Sequence, residues 1–376
     1  MDIRRMIALG ILGGKSVEKI VPTCVVTSSA LDPTPTAAIP VTFTWSEDVT
    51  GFAVEDITLG NCTIGDLTAV SASVYTATIT AAATGTVSVD IAAGVCVDLA
   101  GNANAATTQF SIVYVLSVMF LMSDGSLFQD AAKTTPATAN DHPIGNWEDQ
   151  SGNGHDVTAV TTARPTLKTN IIGGLPGILF NGSSNKLDSA SFDSGIGKYG
   201  VSGTKGYTLY ILQNRSTNAD RVLFARGTYA PAFYSYASAG SHNVKIYSGG
   251  NYAYTAVLDI NPHVLAFRRL DGATATLNLW VDNVLDATSG AYDQNVWGDS
   301  VISIGSSGAA GQFHDNYIYG IILCAGTHTD AQVSAINEAL KKKISTMISA
   351  SFTINNTETL VYDGTNWFGN PTLTVL

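Results

Sequence analysis

The chain has 376 residues, of which 45% are hydrophobic and 13% charged, with a net charge of −11. That much apolar content excludes disorder for the bulk of the chain, and the acidic balance excludes non-specific nucleic-acid binding, which needs clustered Lys and Arg. Glycine occurs 36 times and glutamate only six, which favours strands and turns over long surface helices.

Residues 1–20 form an N-terminal arm. Arg4 and Arg5 followed by the apolar run Met6 to Leu12 imitate a signal peptide, but no clean small-x-small cleavage site follows. A retained arm is the favoured reading and a cleaved leader the alternative. Gly14-Lys15-Ser16 lacks the glycine that a phosphate loop needs, because Leu9 stands there. No apolar run reaches the roughly 18 to 20 residues of a membrane helix. The longest, Ile112 to Met122, reads as one buried strand passing through a domain junction.

Residues 21–115 repeat with period two. Val41, Phe43 and Trp45 alternate with polar residues, as do Tyr75, Ala77 and Ile79, then Val87, Val89 and Ile91, then Phe110, Ile112 and Tyr114. Alternation of this kind marks half-buried strands. Turn signals at Leu31-Asp32-Pro33, Thr84-Gly85 and Ala100-Gly101-Asn102 separate them. Short strands at this spacing predict an immunoglobulin-like sandwich. Cys24, Cys62, Cys96 and Cys324 have no metal-ligand spacing. Buried free thiols are the favoured reading, with a Cys62–Cys96 bridge as the alternative in an exported protein.

Residues 117–347 show further strand signals, as in Tyr207-Thr-Leu-Tyr-Ile-Leu212 and Leu277-Asn-Leu-Trp-Val281, with Val281-Asp282-Asn283-Val284 as a hairpin turn. Thr329 and Gln332 are spaced as a capping box, and Val333, Ile336, Leu340, Ile344 and Met347 form one apolar helical stripe behind it. Residues 348–376 are a β tail with a turn at Asp363-Gly364, too small for a core of its own. Apolar residues at both ends of the chain predict assembly contacts and a homo-oligomer.

Two resemblances follow from particular residues. Phe43-Thr-Trp-Ser-Glu-Asp-Val49, Gly51-Phe52, Asp56-Ile57-Thr58, Tyr75-Thr-Ala-Thr78 and Asp98-Leu-Ala-Gly-Asn102 resemble the bacterial Ig-like repeat of surface adhesins and phage structural proteins. Trp147-Glu-Asp-Gln-Ser-Gly-Asn-Gly-His155, Arg164-Pro165, Gly174-Leu-Pro-Gly-Ile-Leu-Phe-Asn-Gly182, Ile304-Gly305 and the closing helix resemble the concanavalin A-like lectin/glucanase superfamily in its laminin-G-like form. The chain departs from that pattern at Asn181 and Asn185, where aspartate is common, and at Gly320, which replaces a frequent glutamate. The resemblances imply an all-β protein: an Ig-like β-sandwich, then a larger concanavalin A-like jelly roll with one C-terminal helix.

Glucanases of that superfamily use the order Glu-x-Asp-x-x-Glu, and retaining hydrolysis needs two carboxyls about 5 Å apart. The second segment holds only Glu148 and Glu338, neither with such neighbours, so a non-enzymatic protein is expected. Asp282/Asp286 and Asp149/Asp156 carry no catalytic signature and read as turn residues. No cofactor is expected. Calcium is the one candidate ion, either at Glu47, Asp48, Asp56 and Asp98 or in the loop Asp149-x-Ser151-x-Asn153-Gly154. The competing reading of the first set is turn caps. The loop has Val160 where its bidentate glutamate belongs, so it reads as a hydrogen-bonded turn.

Aromatic residues crowd one stretch, with Tyr229, Phe233, Tyr234, Tyr236, Tyr247, Tyr252 and Tyr254 around Ser248-Gly249-Gly250-Asn251. Tyr234, Tyr236, Tyr252 and Tyr254 are the candidate glycan-binding residues, with sheet packing or a subunit interface as the alternative. The combined resemblance implies a phage virion protein, such as a capsid decoration, head fibre or tail-associated protein. Its arm or Ig-like domain would dock to other virion proteins, and its lectin-like domain would face a cell-surface glycan. A secreted adhesin or carbohydrate-binding module is the alternative.

Overall fold

The structure is a computed structural model. It describes residues 20–172, 174–189, 206–214, 221–226, 232–238, 241–247, 258–259, 261–270, 274–288, 292–293, 301–306, 313–345, 361–362 and 367–368. The fold is nearly all β, and the chain divides into two compact units, Met1–Tyr114 and Val115–Leu376. Among the described residues, no helix is long and apolar enough to cross a membrane.

The first unit is a two-sheet antiparallel sandwich. One sheet runs Cys24–Ser28, Ala38–Trp45, Val74–Ala81, Cys62–Ile64, and Thr68–Ala69 also pairs with Val74–Ala81. The other runs Phe110–Tyr114, Gly85–Ile91, Ile57–Gly60. The period-two pattern decides which side chains face inward. Ile39, Val41, Phe43 and Trp45 are buried, as are Val87, Val89, Ile91 and Ile112. Each such side chain contributes roughly 1.5–3 kcal/mol by leaving water. Phe52 meets Phe43, Trp45 and Tyr75 edge-on, with ring centroids 5.7, 5.2 and 5.2 Å away, the geometry that ring quadrupoles favour.

Two of the calcium candidates cap turns here. Asp98 accepts hydrogen bonds from the Asn102 backbone at 2.8 Å and its side chain at 2.7 Å, and Asp56 accepts from Ala53 N–H at 2.8 Å. Burial pushes the Asp98 carboxyl up, but the donors of Asn102, Ala100 and Gly101 outweigh it and leave it below the usual value. Cys24, Cys62, Cys96 and Cys324 are free thiols, so Cys62 and Cys96 are not bridged. Burial pushes Cys96 up to about 11, which leaves it an unreactive small hydrophobe.

The expected single strand from Ile112 to Met122 is two strands instead. Phe110–Tyr114 pairs with the strand holding Val87 and Val89, in the first unit. Met119–Met122 pairs with Gly320–Leu323 in the second. Apolar content alone does not reveal where a buried run changes partners, and exposed Leu116 marks the break.

The second unit has two larger sheets. The first runs Thr166–Ile172, Leu175–Leu179, Tyr317–Ala325, Tyr207–Asn214, Pro262–Arg269, Leu277–Val281, Val284–Thr288, and Met119–Met122 also pairs with Tyr317–Ala325. The second runs Leu127–Phe128, Asn146–Trp147, Val157–Thr158, Leu187–Ser189, Ile302–Ile304, Arg221–Arg226, Ala232–Ser238, Ser241–Tyr247. Leu209, Ile211, Leu265, Phe267 and Ile321 of the first sheet share one core with Trp147, Val157, Leu187, Phe224 and Ile304 of the second. This is the two-sheet sandwich expected for this segment. Asp282 and Asn283 have φ of +48° and +72° between the paired strands Leu277–Val281 and Val284–Thr288, the backbone of a tight two-residue hairpin turn.

The helix α1, Asp330–Ser345, covers the outer face of the first sheet along Pro262–Arg269. Gln332 N–H donates to Thr329 Oγ1 at 3.2 Å, and Thr329 N–H donates to Gln332 Oε1 at 2.8 Å, which is the capping box. Val333, Ile336 and Leu340 are buried and Ile344 half-buried, while Met347 lies outside the described residues. Beneath the helix start, the Tyr210 hydroxyl lies 2.8 Å from His328 Nδ1, and Arg268 lies 4.5 Å from the Trp280 ring centroid.

Candidate functional site

The second sheet of the larger unit carries a polar row on its outer face. Trp147, Val157, Leu187 and Ile304 point into the core. Strand side chains alternate, so their neighbours Asn146, Thr158, Asp188 and Ser303 point outward. Register aligns them: Asn146 opposite Thr158, Thr158 opposite Asp188, and Asp188 opposite Ser303. Four consecutive strands therefore contribute one polar residue each to a single line.

Loops raise walls around this row. The turn Thr161–Ala163 leads into Arg164, and residues Ala131, Gly154, Asp156, Val160 and Lys186 complete an open groove of about 750 Å³. That volume lies within the range of small-ligand sites. A groove of similar size in the first unit is lined by Phe52, Val54, Ile64, Leu67 and Tyr75 and is more apolar in its side chains.

The charges in the larger unit's groove are ordered. Lys133 Nζ bridges Glu148 Oε1 at 2.8 Å and Asp156 Oδ2 at 2.6 Å. These partners hold the Lys133 ammonium above its usual value. Burial raises the Asp156 carboxyl, but the hydrogen bonds of Lys133 and Asp149 N–H outweigh it and hold it low. Lys186 Nζ lies 2.5 Å from Asp188 Oδ2, and Ser303 Oγ donates to Asp188 Oδ1 at 2.7 Å. The two carboxylates are thus fixed anions that accept hydrogen bonds, flanked by ammonium donors. Groups of both kinds can hydrogen-bond to a hydroxyl, which both donates and accepts.

Asp149 has a different role from Asp156. It accepts from Phe120 N–H, Ser151 N–H, Ser151 Oγ and His155 N–H at 2.8, 3.0, 2.7 and 2.9 Å. The calcium-like loop is therefore a hydrogen-bonded turn, as its missing glutamate implies. Among the described residues, no group of three or more His, Cys, Asp or Glu is placed to hold a metal ion.

The aromatic candidates are only partly placed. Tyr234 and Tyr236 lie on Ala232–Ser238, paired in register with Lys245 and Asn243. Tyr252 and Tyr254 lie outside the described residues. Phe233, from the same stretch, is a core residue 4.6 Å from the Phe267 ring. The polar row was missed in the sequence because each of its strands is short, at two or three residues. The available signal was a polar residue beside each of Trp147, Val157 and Leu187.

With the geometry in place, residues 18–114 match the family model of the bacterial Ig-like domain. The first unit carries that domain. No curated protein matches the chain in sequence. Solved structures similar to it include a GH54 α-L-arabinofuranosidase soaked with a cyclic sulfate inhibitor, with 12% identity, TM-score 0.43, and 60% of this chain and 62% of that one covered. Another is the ligand-binding domain of botulinum neurotoxin serotype D in complex with N-acetylneuraminic acid, at 9% identity and TM-score 0.40, covering 59% of this chain and 50% of that one. A third is an arabinofuranosidase complexed with arabinofuranosyl-α-1,2-xylobiose, at 12% identity and TM-score 0.41, covering 62% and 56%. The chain spans between 50% and 62% of the length of these structures. Likenesses this distant do not decide function.

Proposed function

We propose that the chain is a non-enzymatic glycan-binding structural protein, displayed on a virion, whose larger unit holds saccharide in the groove around Asn146, Thr158 and Asp188. The Ig-like unit serves as spacer or docking module toward other virion proteins. The single observation that carries the binding half is the polar row of Asn146, Thr158 and Asp188, registered across three strands and lining one groove. The non-enzymatic half is supported by Glu148 and Glu338, the two glutamates of residues 117–347. Glu148 is ion-paired with Lys133, and Glu338 accepts from Asn283 Nδ2 at 2.9 Å on the helix. The virion setting is supported by the sequence resemblance of the paired modules to phage structural proteins.

A glycan panel probed with the full chain tests the binding half. Saccharide binding that is lost in Thr158→Trp, which fills the groove from its outward face, supports the reading. Binding that survives this substitution places the site elsewhere, and failure to bind any saccharide removes it. Mass spectrometry of gradient-purified particles from the source culture tests the setting. High copy number in particles supports it, whereas recovery only from the medium or cell envelope replaces it with the adhesin.

A further inference from the structure

We infer that the groove takes an anionic saccharide, one bearing a carboxylate or sulfate, with Arg164 as its anchor; this rests on the reading of the groove as a glycan site. The inference starts from which charges already have partners. Lys133 is shared by Glu148 and Asp156, and Lys186 is paired with Asp188. Arg164 lines the same groove, yet among the described residues no carboxylate lies within ion-pair distance of it. Its Nε is buried without a hydrogen-bond partner. A half-buried guanidinium is costly to leave unpaired.

The position of Arg164 is fixed by its surroundings. Asn185 Nδ2 donates to Arg164 O at 2.8 Å, and Lys186 N–H donates to Ala163 O at 3.0 Å. On the other side, Ile144 N–H donates to Pro165 O at 2.8 Å. Asn185 is in turn held by Asn181, whose N–H donates to Asn185 Oδ1 at 3.0 Å. The two asparagines that depart from the lectin-like pattern thus anchor the backbone that carries the guanidinium. A planar guanidinium carried on this anchored backbone matches the two oxygens of a carboxylate or sulfate.

The test uses the full chain and matched probes, namely oligogalacturonate against its methyl ester and a sulfated galactan oligomer against its unsulfated form, by titration calorimetry. The expected result is at least about tenfold tighter binding of an acidic member than of its neutral partner. That preference falls as salt rises and disappears in Arg164→Gln. Equal binding of acidic and neutral partners overturns the inference but leaves the glycan site standing, provided Thr158→Trp still abolishes binding. Binding of no probe overturns the inference, and binding of no saccharide on the panel overturns the glycan site as well. The ratio between acidic and neutral probes in the unmodified chain decides the matter even where Arg164→Gln fails to fold.

Discussion

Ser303 Oγ donates to Asp188 Oδ1 at 2.7 Å, joining two strands whose register places these residues directly opposite one another. The contact fixes one carboxylate oxygen of Asp188, while Lys186 holds the other. Leu187 and Ile304, the neighbours of this pair, are fully buried in the core. One short strand pair therefore packs the core on one face and presents Asp188 to the candidate groove on the other.

Removing Asp188 separates these two roles. Asp188→Ala leaves Ser303 Oγ, on a residue only 8% exposed, without its acceptor, and frees Lys186. The expected stability loss is about 1–3 kcal/mol, read from the urea midpoint. Glycan binding is expected to fall at least about tenfold. Asp188→Asn keeps an acceptor for Ser303 and restores most of the stability but not the binding.

Gly305 has φ of +80°, and a Cβ there falls 2.4 Å from Phe180 Cδ1. Both the backbone and the space demand glycine at this position. Gly305→Ala is expected to destabilise the larger unit by about 1–3 kcal/mol. Combining it with Phe180→Leu is expected to cost less than the sum of the two single changes, because the clash is shared. Denaturation of the four chains in a mutant cycle measures this.

Acid is expected to weaken the larger unit through two buried histidines. Burial lowers His314 and His328 from the usual 6.5 to about 4. The unfolded chain binds these protons first, so their contribution is complete above about pH 6.5 and is lost as pH falls toward 4. The loss is roughly 3 kcal/mol for each group. His263 acts in the opposite sense. Burial pushes it down, but Asp282 and Asp259 outweigh burial and raise it. Its contribution is complete below 6.5 and is lost as pH rises through its folded value. Melting temperature followed from pH 7 down to 4 checks this, and His314→Gln is expected to flatten the curve.

The helix cap offers a local test. Thr329→Ala removes the acceptor of Gln332 N–H and is expected to cost about 0.5–2 kcal/mol. Glycan binding is expected to stay unchanged, since the cap lies on α1 over the other sheet. Unfolding and binding measured on the same preparation check both statements.

Where local rules act alone, the sequence was readable. The alternation of Val41, Phe43 and Trp45, the Asp282-Asn283 turn and the Thr329–Gln332 cap each depend on residues close in the chain, and each took the expected form. The strand change between Tyr114 and Met119 was not readable, because apolar runs do not reveal their partners. The groove was not readable either. Its residues are spread from Ala131 to Ser189, and only strand register brings Asn146, Thr158 and Asp188 into line. Aromatic crowding in the sequence singles out Tyr234 and Tyr236, whereas Phe233, the chain neighbour of Tyr234, is buried in the core.

A crystal structure of the full chain bound to the tightest saccharide from the panel is the most direct measurement. The expected result is saccharide over Asn146, Thr158 and Asp188, with an acidic group on Arg164. Saccharide seated instead on the strands that carry Tyr234 and Tyr236, or anywhere outside the groove, contradicts the assignment.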